Sequence, residues 1–198
     1  GLVAELDRWV LRTACAQAAS WRAAGGPLTL SVNLSGQVLG RADLPDALKD
    51  TLLATGLPPG DLHLEVAETT LLRATPTALE NLRRLRELGV GLHVDDFGTG
   101  YASLGLVERC AATALKLDPS LVRGVGEAGG GLVHNFLVLA RGLNLRVVAE
   151  GVETREQLEG LRASGCEYAQ GHLFAAALEA PAVETFLGAP QRWLHGLY

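Results

Sequence analysis

The stretch His93–Gly100, HVDDFGTG, decides how the rest of the chain is read. It continues the short apolar run VGLHV, which begins at Val90, and sets two carboxylates side by side ahead of Gly98 and Gly100. Neighbouring side chains of a regular strand point to opposite faces, so one of Asp95 and Asp96 would face a packing layer. An uncompensated charge buried there would be costly. The pair fits better where a strand is ending and both carboxylates reach one polar site.

Outward from that point, β-rich and amphipathic segments alternate. Strands are expected at Leu28–Ser35, Leu62–Glu68, Gly91–Asp96, Ala114–Asp118, Arg146–Glu150 and Glu167–Gly171. Helices are expected over Glu5–Trp21, from Leu44 to a stop at Gly56, and over Thr75–Gly89, Tyr101–Cys110, Leu132–Leu143 and Thr154–Gly165. A closing helical segment is expected at 182–187. Asp43 and Thr75 stand where helix caps are wanted, and Pro45 and Pro76 fall in first turns, where a missing N–H costs nothing. Strands alternating with helices predict a parallel sheet covered by helices.

Polar residues recur at corresponding places. Asn33, Glu65, Asp95 with Asp96, Lys116, Glu150 and Gln170 all lie at or near the C-terminal ends of the six expected strands. That end is the active-site face of an α/β barrel, where residues from several strands converge. An open doubly wound sheet concentrates its ligand at one switch point instead. The distribution over every strand favours a TIM-like (β/α) barrel. Six strands fall two short of eight, so the first two strands are expected to be missing from this chain.

Composition sets the outer bounds. At 198 residues, with 48% hydrophobic and 20% charged, the chain suits a single domain over residues 1–198 with a sizeable core. A formal charge of −5 argues against non-specific binding of a DNA or RNA duplex, which needs a basic surface. It leaves room for a phosphate ligand beside a metal ion. Cys15, Cys110 and Cys166 have no close spacing and read as free thiols in a reducing, cytoplasmic setting. No apolar run reaches membrane-spanning length, so no membrane contact is expected from this segment. The sequence contains no methionine, and the expectation is a piece of a longer protein, with a regulatory domain attached.

One asparagine, several carboxylates, a lysine and a glutamine on one rim make a hard-oxygen donor set suited to Mg²⁺ or Mn²⁺. Adjacent Asp95 and Asp96 would allow two such ions roughly 4 Å apart, the spacing that clamps the attacking and leaving oxygens in phosphoryl transfer. Taken singly, each residue also has a plain reading as a salt-bridged or solvated strand end.

Six ordered motifs give the set a family. SVNLS (Ser31–Ser35), LEVAE (Leu64–Glu68), DDFGTGYASL (Asp95–Leu104), LKLD (Leu115–Asp118), AEGVET (Ala149–Thr154) and QGHLF (Gln170–Phe174) resemble the EAL family of bacterial cyclic di-GMP phosphodiesterases. The resemblance implies a modified TIM barrel that hydrolyses cyclic di-GMP to linear pGpG with two Mg²⁺ or Mn²⁺ ions. It implies that Asn33, Glu65 and Asp95 hold one ion, and that Asp95, Asp96 and Glu150 surround the other. By the same resemblance Lys116 contacts the nucleophilic water. Glu68 anchors the loop after DDFG, a region also implied in homodimer formation. Glu153, Gln170 and Asp118 are implied as supporting and substrate-binding residues.

The chain also departs from that pattern. No segment matches the Glu-Ala-Leu stretch for which the family is named, whose glutamate is a metal ligand and whose nearby arginine binds substrate. Ala67 replaces a threonine, His172 an aromatic, and Ala175–Ala177 a basic-proline ending. The alternative reading is therefore a degenerate member that binds cyclic di-GMP without cutting it. The string Gly124–Gly129 fits G-x-G-x-x-G, but it does not directly follow a strand and reads as a loop. His63 and His93 read as packed strand residues, and Trp21, Trp193 and Tyr198 as packing or terminal residues.

Overall fold

The computed structural model describes residues 1–98, 104–125 and 130–188. The chain divides into two units, Gly1–Ala114 and Leu115–Tyr198. In the first unit, α1 (Leu2–Gly25) buries Ala4, Leu11, Cys15 and Ala18, positions that fall on one side of a 3.6-residue period. It packs against β1 (Leu30–Asn33) and α3 (Leu44–Thr55). Between them the four-residue α2 (Gly36–Leu39) is capped by the Ser35 hydroxyl, which accepts from the Val38 amide. There follow β2 (Leu62–Ala67), α4 (Glu68–Leu72), α5 (Pro76–Glu87), β3 (Gly91–Phe97) and α6 (Leu104–Arg109).

Strands β1, β2 and β3 run parallel, with Leu30 beside Leu62, Asn33 beside Glu65, His63 beside Gly91 and Ala67 beside Asp95. Alternation then sorts the side chains. Leu62, Leu64, Val66, Leu92 and Val94 form one buried apolar face. His63, Glu65, His93 and Asp95 lie on the other. The His63 and His93 rings stack there at 4.4 Å between centroids and 16° between planes. Gly91 makes room for that stack, because a Cβ in its place would lie 2.0 Å from the His63 Nδ1 atom. Beyond β3, Thr113 hooks the chain back: its amide donates to the Leu92 carbonyl at 2.7 Å, and its hydroxyl accepts from the Leu92 amide at 3.2 Å.

The second unit contains β4 (Ala114–Leu117, begun on the last residue of the first), α7 (Pro119–Arg123), α8 (Gly130–Gly142), β5 (Arg146–Ala149), α9 (Arg155–Ala163), β6 (Tyr168–Ala169) and α10 (Ala180–Gly188). Strands β5 and β6 are parallel, with Ala149 beside Ala169. The Glu150 amide donates to the Leu117 carbonyl, bringing the ends of β5 and β4 together. Thr154 and Gln157 close a reciprocal capping box on α9. Among the described residues, the six strands and the alternation of strand with helix agree with the sequence reading.

Other details differ from the expectation. Asp43 makes no capping bond to α3. It is drawn into an ion pair with Arg41 at 2.9 Å and Arg8 at 2.6 Å, which holds its carboxyl down at about 2, chiefly through the Arg41 bond. Thr75 does cap α5, accepting from the Ala78 amide at 3.2 Å. The short helices α2, α4 and α7 were not foreseen, being below the length at which periodicity is visible. Residues 99–103 of the DDFGTGYASL motif, 126–129 of the glycine string, and Trp193 and Tyr198 lie outside the described residues. All three cysteines are free. Among the described residues, no helix is long and apolar enough to cross a membrane.

Candidate functional site

In the first unit the register brings three of the expected ligands to one place. Asn33 pairs with Glu65, and Asp95 lies two residues beyond His93, the partner of Glu65. Partners in parallel strands share a face, so Asn33, Glu65 and Asp95 lie on one face of three neighbouring strands, at their C-terminal ends. Glu65 is buried, Asp95 half-buried and Asn33 exposed.

At Asp96 the backbone departs from regular strand geometry. Its φ of +53° places a non-glycine residue in the left-handed region, which breaks the regular alternation at the strand's end. A carboxylate oxygen of Asp95 and one of Asp96 then lie within 4.8 Å of each other. Aspartate tolerates this conformation better than most residues, but a backbone of this kind costs of order 1–3 kcal/mol and is held by its surroundings.

Glu68 opens α4 and is 1% exposed. Its Oε2 accepts from the Gly98 amide at 2.9 Å, so a buried carboxylate holds the first residue of the segment after DDF. This bond is a contact that the structure gives Glu68 with the residues following DDF. Sequence reading missed a second device. The Asp7 carboxylate on α1 accepts from the Ser35 amide at 3.1 Å, and the Leu34 amide donates to the Glu65 carbonyl at 2.9 Å. Together they clamp the turn that follows Asn33. Asp7 lies 28 residues away in sequence, too far for any local pattern to reveal the contact.

The second unit holds the other expected residues. Lys116 Nζ lies 2.7 Å from Glu150 Oε1, and both side chains are buried. The Gln170 side-chain amide donates to that same oxygen at 2.8 Å. Gln170 is carried there by its backbone: its amide donates to the Ala149 carbonyl, and its carbonyl accepts from the Val152 amide. Gly171 permits this approach, because a Cβ on it would lie 2.2 Å from the Val152 carbonyl oxygen.

Asp118 and Glu153 sit differently. Asp118 caps α7, accepting from the Ser120 amide at 2.7 Å. Glu153 is exposed, and its own amide donates to the Gln157 side chain beside the cap of α9. His172 is exposed, as expected for a rim residue.

An amide oxygen and carboxylates are donors for hard divalent cations, and among the described residues no histidine–cysteine set competes for a softer metal. The chemistry of the donor set therefore fits a hard divalent cation.

Comparison with known proteins gives the assembly a family. The EAL domain profile matches residues 1–177. The cyclic di-GMP phosphodiesterase NbdA of Pseudomonas aeruginosa is 42% identical over 192 residues, which cover 96% of this chain and 24% of that protein. The chain thus spans about a quarter of that relative's length. Among solved structures, the PaMucR phosphodiesterase in complex with c-di-GMP matches with a TM-score of 0.86 at 38% identity, over 92% of this chain and 75% of that one. Klebsiella pneumoniae BlrP1, in a complex with manganese and cy-diGMP at pH 9.0, matches with a TM-score of 0.79 at 32% identity, over 87% of this chain and 44% of that one. On the profile match and these identities, the chain belongs to the EAL domain family.

Proposed function

We propose that the protein containing this chain hydrolyses cyclic di-GMP to linear pGpG, using two Mg²⁺ or Mn²⁺ ions. The observation that carries the reading is the shared face of Asn33, Glu65 and Asp95 at three adjacent strand ends. Membership in a family whose relatives include cyclic di-GMP phosphodiesterases supports the substrate, and a relative solved with manganese supports the metal.

In this proposal Asn33, Glu65 and Asp95 hold one ion, and Asp95, Asp96 and Glu150 hold the other. When bound, the ions supply Lewis acidity and offset the charge of the phosphodiester. Lys116, kept dry beside Glu150, offers N–H donors to the attacking water. Gln170 fixes the rotamer of Glu150 through the bond to Oε1. Glu68 keeps the segment after β3 in its productive position. Asp118 and Glu153 border the substrate, and Gln170 contributes to binding it.

The same reading extends to the parent protein. It carries a regulatory domain and forms a homodimer through the DDFGTGYASL region. The reading is tested by incubating the full-length protein with cyclic di-GMP and Mn²⁺ and separating products by chromatography. Formation of pGpG that disappears in Glu65→Ala is the expected result. Binding of cyclic di-GMP without turnover, in the wild-type protein, would establish a receptor instead.

A further inference from the structure

Beside α4 lies a cleft of 520 Å³ that the catalytic reading does not use. It is lined by Gly36 and Leu39 of α2, by Thr69, Thr70 and Arg73 on or just after α4, and by Thr75 ahead of α5. No carboxylate lines it, in a chain whose formal charge is −5. Among the described residues the Arg73 guanidinium has no ion-pair partner, a state it shares with other arginines such as Arg12, Arg146 and Arg155. Three threonine hydroxyls beside one unclaimed guanidinium are donors of the kind that hold phosphate oxygens. The volume exceeds what an inorganic anion fills and falls within the usual range for small organic ligands, about 300–1,000 Å³.

From this geometry we propose that the cleft binds a small phosphomonoester, a sugar phosphate or a mononucleotide, and that its occupancy steadies the Glu68 anchor. Helix α4 makes the connection. It is five residues long: Glu68 is its first residue and holds the Gly98 amide, Thr69 and Thr70 follow, and Arg73 is its C-cap. A ligand gripping Thr69, Thr70 and Arg73 therefore braces the same turn that presents Glu68. Binding that favours this arrangement of α4 must, by linkage, favour the Glu68–Gly98 bond to the same degree.

The test needs neither metal nor cyclic dinucleotide, so its failure is distinct from failure of the phosphodiesterase reading. Inorganic phosphate, ribose 5-phosphate and guanosine 5′-monophosphate are titrated separately into the full chain, with binding followed by calorimetry. Exchange of the Gly98 amide is followed by NMR in the same solutions. The expected result is tighter binding of one organic phosphate than of inorganic phosphate, with Gly98 exchange slowed about fivefold at saturation. The organic phosphate that binds more tightly identifies the ligand class. Both effects should vanish in Arg73→Ala and weaken in Thr69→Val, two exposed positions at which the fold should survive. Binding of inorganic phosphate alone, binding unchanged by Arg73→Ala, or saturation without any change at Gly98 would each overturn the proposal.

Discussion

Lys116 and Glu150 meet at 2.7 Å with their side chains 5% and 10% exposed, and the oxygen that joins them also accepts from Gln170. A buried pair of this kind costs desolvation to form, but breaking it from one side leaves a charge without compensation. Replacing Lys116 by Ala should therefore destabilise the protein by about 3–5 kcal/mol as well as stop hydrolysis. The double variant Lys116→Met, Glu150→Gln should recover most of that stability and none of the activity. Urea unfolding of the variants, with turnover measured in parallel, checks both halves.

The buried Glu68 carboxylate holds the Gly98 amide at 2.9 Å. Glu68→Ala should release that amide, speeding its hydrogen exchange about tenfold or more, in line with loss of a bond to a charged acceptor. Glu68→Gln keeps an oxygen acceptor and should fall between the two. Turnover should follow the same order if the anchor sets the position of the segment after β3.

Backbone strain at Asp96 predicts an unusual mutational pattern. Its φ of +53° suits glycine and is poor for β-branched residues. Without metal, Asp96→Gly should hold or raise stability by up to about 1 kcal/mol, while Asp96→Val should lower it by about 1–3 kcal/mol. Both should lose hydrolysis. Thermal unfolding in the presence of a chelator separates the backbone effect from the ligand effect.

Burial raises the Cys15 thiol from 9.0 to about 11, and raises Cys110 and Cys166 as well. The folded protein then keeps the Cys15 proton at pH values where the unfolded chain has lost it. The resulting stability is complete below pH 9 and is lost as pH rises toward 11. Wild type should accordingly lose more stability than Cys15→Ala between those limits, the variant accounting for the other groups that titrate there. At pH 8 a disulfide reagent should modify half-buried Cys166 before the two buried thiols.

Strand positions were legible because the carboxylates and the asparagine end runs of Val, Ile-like Leu and alternating polar residues, a pattern that survives without tertiary knowledge. Glu65 and Asp95 could be placed at the C-terminal ends of their strands, but only the parallel register shows that they share a face. Asp43 misled because a helix-capping residue and an ion-pair partner look the same in sequence; Arg8, 35 residues away, is one of the two groups that claim it. Helices α2, α4 and α7 escaped because four or five residues carry no measurable period. The Asp7–Ser35 clamp and the Arg73 cleft were invisible for a related reason: both arise from contacts between segments whose spacing follows no motif.

The carboxylates at these strand ends are proposed to hold a pair of divalent ions. Anomalous diffraction at the manganese edge, from crystals of the full-length protein grown with Mn²⁺, tests it most directly. Two peaks about 4 Å apart are expected, bounded by Asn33, Glu65, Asp95, Asp96 and Glu150, and both should be lost in Asp95→Ala. Manganese found elsewhere, or no peak at these residues in a crystal saturated with the ion, would contradict it.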